Sequence, residues 1–226
     1  MIMSKQLLNK ILTALSQMPN KWDARQVYLD WKNANSPYLR QTEWIGWRFQ
    51  ELCEYYLKQT KMFDFTEQRY GYADFDAFAE IPWDFKAHIR QNPRGLLTHK
   101  VPGTDKRATL RAIEKHGAAG FIVGIGTAIF NDEDRGFQLW HDELKGGLSK
   151  YEEERISRRA PSRLRKTNFT LKEIWIIEID KKLCKNLGTF MEGFRNKDGS
   201  PRKAKVMLDL NNIEPIYKIE FSCNKG

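Results

Sequence analysis

One unbroken apolar stretch, AAGFIVGIGTAIF at positions 118–130, restricts the possible folds of this chain more than any other feature. Apolar residues without alternation are typical of a strand that is buried on both faces of a sheet. The residues before it predict a helix that Thr104 or Asp105 caps and Gly117 ends. A helix leading into a doubly buried strand predicts an α/β fold.

Gly124 and Gly126 within this stretch bear on nucleotide binding. A dinucleotide-binding turn places its glycines between a strand and the N-terminus of a helix. Here both glycines lie inside the predicted strand, and no helix N-terminus lies directly behind them. We therefore do not expect them to bind a dinucleotide.

A charged stretch precedes the predicted helix and reads GYADFDAFAEIPWDFKAH at positions 71–88. Two runs of alternating residues flank small residues near position 80, and this period of two predicts a β-hairpin. On its second strand Asp84 and Lys86 share one face. Trp83 and Phe85 point the other way, into the core.

Four charged side chains meet on this hairpin if its turn takes about three residues. Asp76 then lies opposite Asp84, and Asp74 lies opposite Lys86. Three carboxylates this close are unfavourable unless a divalent cation binds them, and Mg²⁺ takes one or two carboxylates with substrate phosphate and water. A lysine beside the ion polarises or deprotonates the attacking water, so the arrangement suits phosphodiester hydrolysis. The alternative is an exposed acidic hairpin with a surface lysine.

The order Asp74, nine residues, then Asp84-x-Lys86 resembles the signature of the PD-(D/E)XK nucleases. In that family a strand-borne Asp is followed by an acid, any residue and Lys on the adjoining strand. The resemblance implies the nuclease core of this family, a mixed central β-sheet flanked by helices. Ala73 stands at the nominal Pro position, and the second acid is Asp. The resemblance implies that Asp74 and Asp84 bind Mg²⁺, for which Mn²⁺ can substitute, and that Lys86 orients or activates the water. Asp76 is the alternative first ligand.

A helix predicted to begin near Thr42 leads into the hairpin. In PD-(D/E)XK nucleases this helix often resembles G-x-x-F-E, and its acid joins the metal site. Here Gly46 and Phe49 match, Gln50 stands at the position of the acid, and Glu51 follows. The resemblance implies either a neutral residue in the site or Glu51 as the substitute. The alternative for Glu51 is a solvated side chain on a helix.

The chain carries 38 Lys+Arg against 29 Asp+Glu, a formal net charge of +9. Such an excess suits a polyanionic partner, although many proteins are basic for solubility alone. The three cysteines lack metal-ligand spacing, so we expect neither a disulfide framework nor a zinc site. No apolar run is long enough to cross a membrane and no signal peptide is evident, so a cytoplasmic location is expected.

Basic residues concentrate in the segment YEEERISRRAPSRLRK at positions 151–166. One arginine guanidinium can bind two phosphate oxygens at once, and arginine also reads guanine edges in the major groove. This is therefore the leading predicted DNA-contact segment. The alternative is a solvated helix in which neighbouring glutamates pair the arginines. The predicted contacts are Arg155, Arg158, Arg159, Arg163, Arg165 and Lys166.

Two more basic regions complete the predicted DNA-binding surface. Residues 88–105 read as a loop beside the active site, in which His88 and Arg90 are further candidate DNA contacts. His88 is alternatively a plain hydrogen-bonding residue. Positions 201–205 begin a predicted C-terminal β-ribbon that could enter a groove, with Arg202, Lys203 and Lys205 at its start.

We expect a single domain over 1–226, with an N-terminal helical arm (1–40), a catalytic core (41–180) and a C-terminal helix with β-strands (181–226). The resemblance implies a type II restriction endonuclease making Mg²⁺-dependent, sequence-specific double-strand cuts in DNA. It further implies a homodimer in a bacterial or archaeal cytoplasm, with a DNA methyltransferase in the cell but not as a stable partner. The alternatives are a structure-directed repair or recombination nuclease of the same fold, and a non-catalytic DNA-binding module.

Overall fold

The computed structural model describes residues 2–65, 74–130, 134–148, 150–160, 164–195 and 199–222. Its helices are α1 (Lys5–Leu15), α2 (Ala24–Asn33), a short 3-10 helix (Pro37–Arg40), α3 (Trp44–Lys58), α4 (Lys106–His116), α5 (Gly136–Leu144), α6 (Lys150–Ser157) and α7 (Lys181–Asn186). Its strands are β1 (Lys21–Asp23), β2 (Asp64–Phe65), β3 (Ala77–Ala79), β4 (Ile81–Ile89), β5 (Lys100–Asp105), β6 (Ala118–Phe130), β7 (Lys166–Asp180), β8 (Gly188–Phe190), β9 (Lys205–Asp209) and β10 (Tyr217–Glu220).

A mixed sheet of seven strands forms the centre, in the order β1-β7-β6-β4-β3-β2, and β10 also pairs with β7. β4 and β6 are parallel, and helix α4 lies between them in sequence; the other pairs are antiparallel. The apolar stretch at 118–130 is thus the predicted strand, β6. The predicted α/β class, with a mixed central sheet and flanking helices, is confirmed.

Both faces of this sheet are covered, because side chains of β6 alternate between two apolar clusters. One cluster packs under α1, α2 and α3, and the other packs under α4, α7 and a second sheet of order β5-β9-β8. The two glycines that face α3 and the hairpin leave room for aromatic rings. A Cβ at Gly120 would lie 2.3 Å from Trp83, and one at Gly124 would lie 2.5 Å from Phe49.

The N-terminal helices belong to the core and do not stand off as an arm. Leu7, Ile11 and Leu15 of α1 are fully buried, as are Tyr28 and Trp31 of α2. Ser4 and Asp23 cap these helices, since their side chains accept hydrogen bonds from backbone N–H groups of the first helical turns.

Three chain segments differ from the sequence-based predictions. The predicted C-terminal β-ribbon does not form, because β9 pairs with β5 and β8 while β10 pairs with β7 of the other sheet. Residues 88–105 are a loop only in their middle, since β4 continues to Ile89 and β5 begins at Lys100. β7 begins at Lys166, so that residue opens a strand and does not continue a basic helix.

Candidate functional site

The hairpin β3–β4 has the predicted register. Ala77 pairs with Trp83, so the same register continued by one residue sets Asp76 opposite Asp84. The regular backbone pairing of β3 with β4 does not extend to Asp76. The Asp76 carboxylate accepts a hydrogen bond from the backbone N–H of Phe85 at 2.7 Å. The backbone N–H of Asp76 donates to the Trp83 carbonyl at 2.9 Å. The first carboxylate of the site is thereby fixed at the point where β3 begins.

Asp84 lies in the middle of β4 and is only 2% exposed. Its Oδ1 atom accepts a hydrogen bond from Lys86 Nζ at 2.5 Å. Its Oδ2 atom is buried and has no hydrogen-bond partner among the described residues. A buried carboxylate oxygen without a partner is costly, and a bound cation is one way to satisfy it.

Asp76 lies close enough to Asp84 for the two carboxylates to affect each other. Burial and the neighbouring Asp84 charge raise the pKa of Asp76 to about 7, against the opposing effects of Lys86 and the Phe85 N–H. Within the hairpin, two carboxylates lie beside the one ammonium of Lys86, and the charges of the two carboxylates repel each other once both acids ionise. This charge pattern favours binding of a divalent cation.

Lys86 is partly buried beside both acids. Burial alone would lower the pKa of Lys86, but Asp84 and Asp76 raise it further than burial lowers it. The side chain is therefore an ammonium that donates hydrogen bonds. It can orient a water molecule or stabilise a developing negative charge, but in this state it does not remove a proton.

Asp74, the predicted first ligand, makes its contacts elsewhere. Its Oδ2 atom lies 3.2 Å from an Arg111 nitrogen, its Oδ1 atom lies 3.7 Å from Lys203 Nζ, and its side chain is 40% exposed. It precedes the first residue of β3 by three positions, so the strand pairing that places Asp76 beside Asp84 does not extend to it. The structure thus brings Asp76, Asp84 and Lys86 together and pairs Asp74 with other residues.

Helix α3 contributes Gln50 to the site. Gln50 Nε2 donates to Asp76 Oδ1 at 2.6 Å. Glu51 points away and accepts hydrogen bonds from Trp31 Nε1 at 3.2 Å and from Arg48 at 2.6 Å. Of the two alternatives for this helix, the neutral residue is the one that contacts the acidic pair.

Several basic residues of the predicted DNA-contact segment form ion pairs with glutamates of the same chain. Arg155 and Arg165 both bind the buried Glu152, at 2.7 and 3.1 Å, and Lys166 pairs with Glu43. Arg158 lies 3.3 Å from Glu154 but stays exposed, and Arg159 is also exposed. Arg163 lies outside the described residues. The exposed end of α6, at Arg158 and Arg159, presents the more available cations.

His88 lies on the same strand as Asp84 and Lys86, and Arg90 directly follows the end of that strand at Ile89. The His88 ring is 9% exposed, and its Nε2 atom lies 2.8 Å from the Thr98 carbonyl. Burial lowers the pKa of His88, which favours the neutral ring. Arg90 lies 3.2 Å from Glu173 across the sheet. Both side chains therefore link β4 to neighbouring segments.

Sequence reasoning did not place Lys205 of β9 near this site. The Lys205 ammonium interacts electrostatically with Lys86 and Asp84, across more than a hundred residues of sequence. Its basic neighbourhood at 201–205 is visible in the sequence, but its position depends on the pairing of β9 with β5. No local pattern could have predicted that pairing.

No protein-family model, curated protein or solved structure matches this chain. Within the described residues, no helix is long and apolar enough to cross a bilayer. The same residues hold no group of three or more His, Cys, Asp and Glu side chains that could bind a metal. Two carboxylates and an open oxygen nevertheless fit Mg²⁺, which commonly takes one or two carboxylates and completes its shell with phosphate and water.

Proposed function

We propose that this protein is a Mg²⁺-dependent endonuclease of the PD-(D/E)XK class that cuts both strands of DNA, acting as a type II restriction enzyme. The observation that carries the proposal is the group formed by Asp76, Asp84 and Lys86 on two paired strands, with Asp84 Oδ2 left unpartnered. The parallel pairing of β4 with β6, with helix α4 between them in sequence, supports the proposal.

Asp76 and Asp84 are the residues that would hold the ion. When bound, Mg²⁺ supplies a Lewis acid that neutralises charge on the phosphate under attack. Lys86 donates hydrogen bonds to the attacking water or to a phosphate oxygen, since its ammonium is stabilised by both acids. The Phe85 N–H and Gln50 hold the Asp76 carboxylate in a fixed orientation.

The proposed substrate follows from the charge of the chain and from the number of sites. A net charge of +9 favours a polyanion, and Arg158 and Arg159 are exposed cations that phosphates could reach. The described residues contain one group of this kind. Cutting both strands at one place therefore calls for two chains, which is why we propose a homodimer acting on a two-fold symmetric duplex site.

Incubation with a large duplex DNA and Mg²⁺ tests the proposal, with the fragments resolved and their ends sequenced. We expect discrete fragments from the wild type. Lys86→Ala should cut at least about 1,000-fold more slowly, because it removes the hydrogen-bond donor beside the reacting phosphate. Lys182→Ala, which alters an exposed lysine in α7, is the matched control and should cut like the wild type.

The other outcomes are informative in different ways. A smear from the wild type would favour the structure-directed or nonspecific nuclease over the restriction enzyme. DNA binding without cleavage in Mg²⁺ or Mn²⁺ would favour the non-catalytic DNA-binding module. Equal cleavage by the wild type and Lys86→Ala would show that the active site lies elsewhere.

A further inference from the structure

The small sheet β5-β9-β8 packs on the face of the central sheet that carries Asp84 and Lys86. Gly103 of β5 lies so close to its neighbours that a Cβ there would meet Val206 of β9 at 2.7 Å and Phe121 of β6 at 2.9 Å. Phe121 is the residue that pairs with Asp84 in the parallel ladder. The beginning of β9 therefore lies beside the acidic pair.

Contacts of the two residues that precede Lys205 support this placement. Lys203 Nζ lies 3.7 Å from Asp74 Oδ1, and the Thr104 hydroxyl donates to the Asp74 carbonyl. The Lys106 N–H donates to the Ala204 carbonyl at 2.8 Å. Residues 203–205 thus run next to the segment that leads into β3.

Lys205 differs from the other lysines around it. Lys86, Lys106 and Lys203 each contact a side-chain oxygen, of Asp84, Thr189 and Asp74 respectively. No hydrogen bond or ion pair holds the ammonium of Lys205 within the described part of the chain. Burial lowers the pKa of Lys205, and the neighbouring Lys86 lowers it further, while Asp84 and Asp105 raise it.

We propose that Lys205 is a second lysine of the active site and contacts an oxygen of the scissile phosphate, an inference that rests on the proposed nuclease function. Two neighbouring ammonium groups repel each other, and an anion that contacts both relieves the repulsion. A phosphate bound beside Asp84 supplies the negative charge that relieves this repulsion. Lys205 then stabilises the negative charge that grows on the phosphate oxygens during attack.

Single-turnover cleavage of a duplex with one cut site tests this role in the full-length protein. We expect Lys205→Met to slow the cleavage step about 30- to 100-fold while weakening DNA binding in Ca²⁺ by less than about threefold, because its contact strengthens in the transition state. Lys205→Arg keeps the charge and should recover most of the rate. Lys182→Met is the control, since it alters an exposed lysine of α7 outside the proposed site, and it should cut within about threefold of the wild type.

A second readout needs no cleavage. Lys205→Met removes a cation near Asp84, so it should tighten Mn²⁺ binding to the DNA-free protein by about threefold. Lys182→Met should bind Mn²⁺ like the wild type. A merely structural role of Lys205 would not tighten Mn²⁺ binding. Equal cleavage rates for Lys205→Met and the wild type would overturn this inference alone. An inactive Lys205→Met with unaltered Mn²⁺ affinity would overturn it too. Absence of cleavage by the wild type would overturn the proposed function together with the inference.

Discussion

Two groups of charged side chains in this molecule have opposite charge patterns: one has an acid between two cations, and the other has a hairpin lysine between two acids. Around Glu152, one carboxylate lies between the guanidinium groups of Arg155 and Arg165, and both of its oxygens are engaged. In the hairpin, the single ammonium of Lys86 accompanies two carboxylates, and one oxygen of Asp84 stays open. A carboxylate with both oxygens engaged leaves no place for a metal ion, whereas an open oxygen beside a second acid does.

The two groups also differ in what removal of an acid does. A buried carboxylate that compensates two cations stabilises the fold, and its loss leaves buried charge without a partner. A carboxylate beside another carboxylate destabilises the folded state through charge repulsion. Such pairs are typical of sites that bind a ligand. The same change from acid to amide should therefore have opposite signs in the two places.

The larger effect is expected at Glu152. Glu152→Gln should lower the free energy of unfolding by about 3 kcal/mol, because an amide cannot compensate the two guanidinium groups. Denaturant unfolding measures this effect. The control is Glu153→Gln, which changes an exposed neighbour and should stay within about 0.5 kcal/mol of the wild type. Equal stability of both variants would show that the Glu152 pairs do not hold the α6 region.

The smaller effect is expected at Asp76 and depends on pH. The raised pKa, about 7, means that folding favours the protonated carboxyl, so this contribution to stability is present at low pH and is lost as pH rises through about 7. Without metal at pH 8, Asp76→Asn should raise the free energy of unfolding by about 1 to 2 kcal/mol. The amide oxygen still accepts from the Phe85 N–H.

Unfolding at pH 5 and pH 8 provides the check on Asp76. The difference between Asp76→Asn and the wild type should shrink at pH 5, where the wild-type carboxyl already holds its proton. A variant that is less stable than the wild type at pH 8 would mean that the two acids do not repel each other.

Local periodicity was sufficient for the framework of this fold. The unbroken apolar stretch predicted β6, and strand alternation predicted the register that sets Asp76 opposite Asp84. Both predictions concern neighbours along the chain or across one tight turn. These are the distances over which a sequence pattern carries structural information.

The finer features of the site depend on contacts that no local pattern contains. Gln50 and Glu51 are adjacent in sequence, but consecutive residues on a helix point about 100° apart, so only the position of α3 on the sheet decides which one meets Asp76. Asp74 and Asp76 share a predicted strand face, and the start of β3 at Ala77 separates them. Lys205 enters through pairing of two distant strands.

The most direct test of this account compares cleavage by Asp76→Asn and Asp74→Asn under single-turnover conditions with Mg²⁺. We expect Asp76→Asn to lose at least about 1,000-fold in rate, because it removes one of the two proposed metal ligands. Asp74→Asn should stay within about tenfold of the wild type, since its carboxylate pairs with Arg111 and Lys203. Loss of cleavage in Asp74→Asn with an active Asp76→Asn would contradict the assignment of the site to Asp76, Asp84 and Lys86.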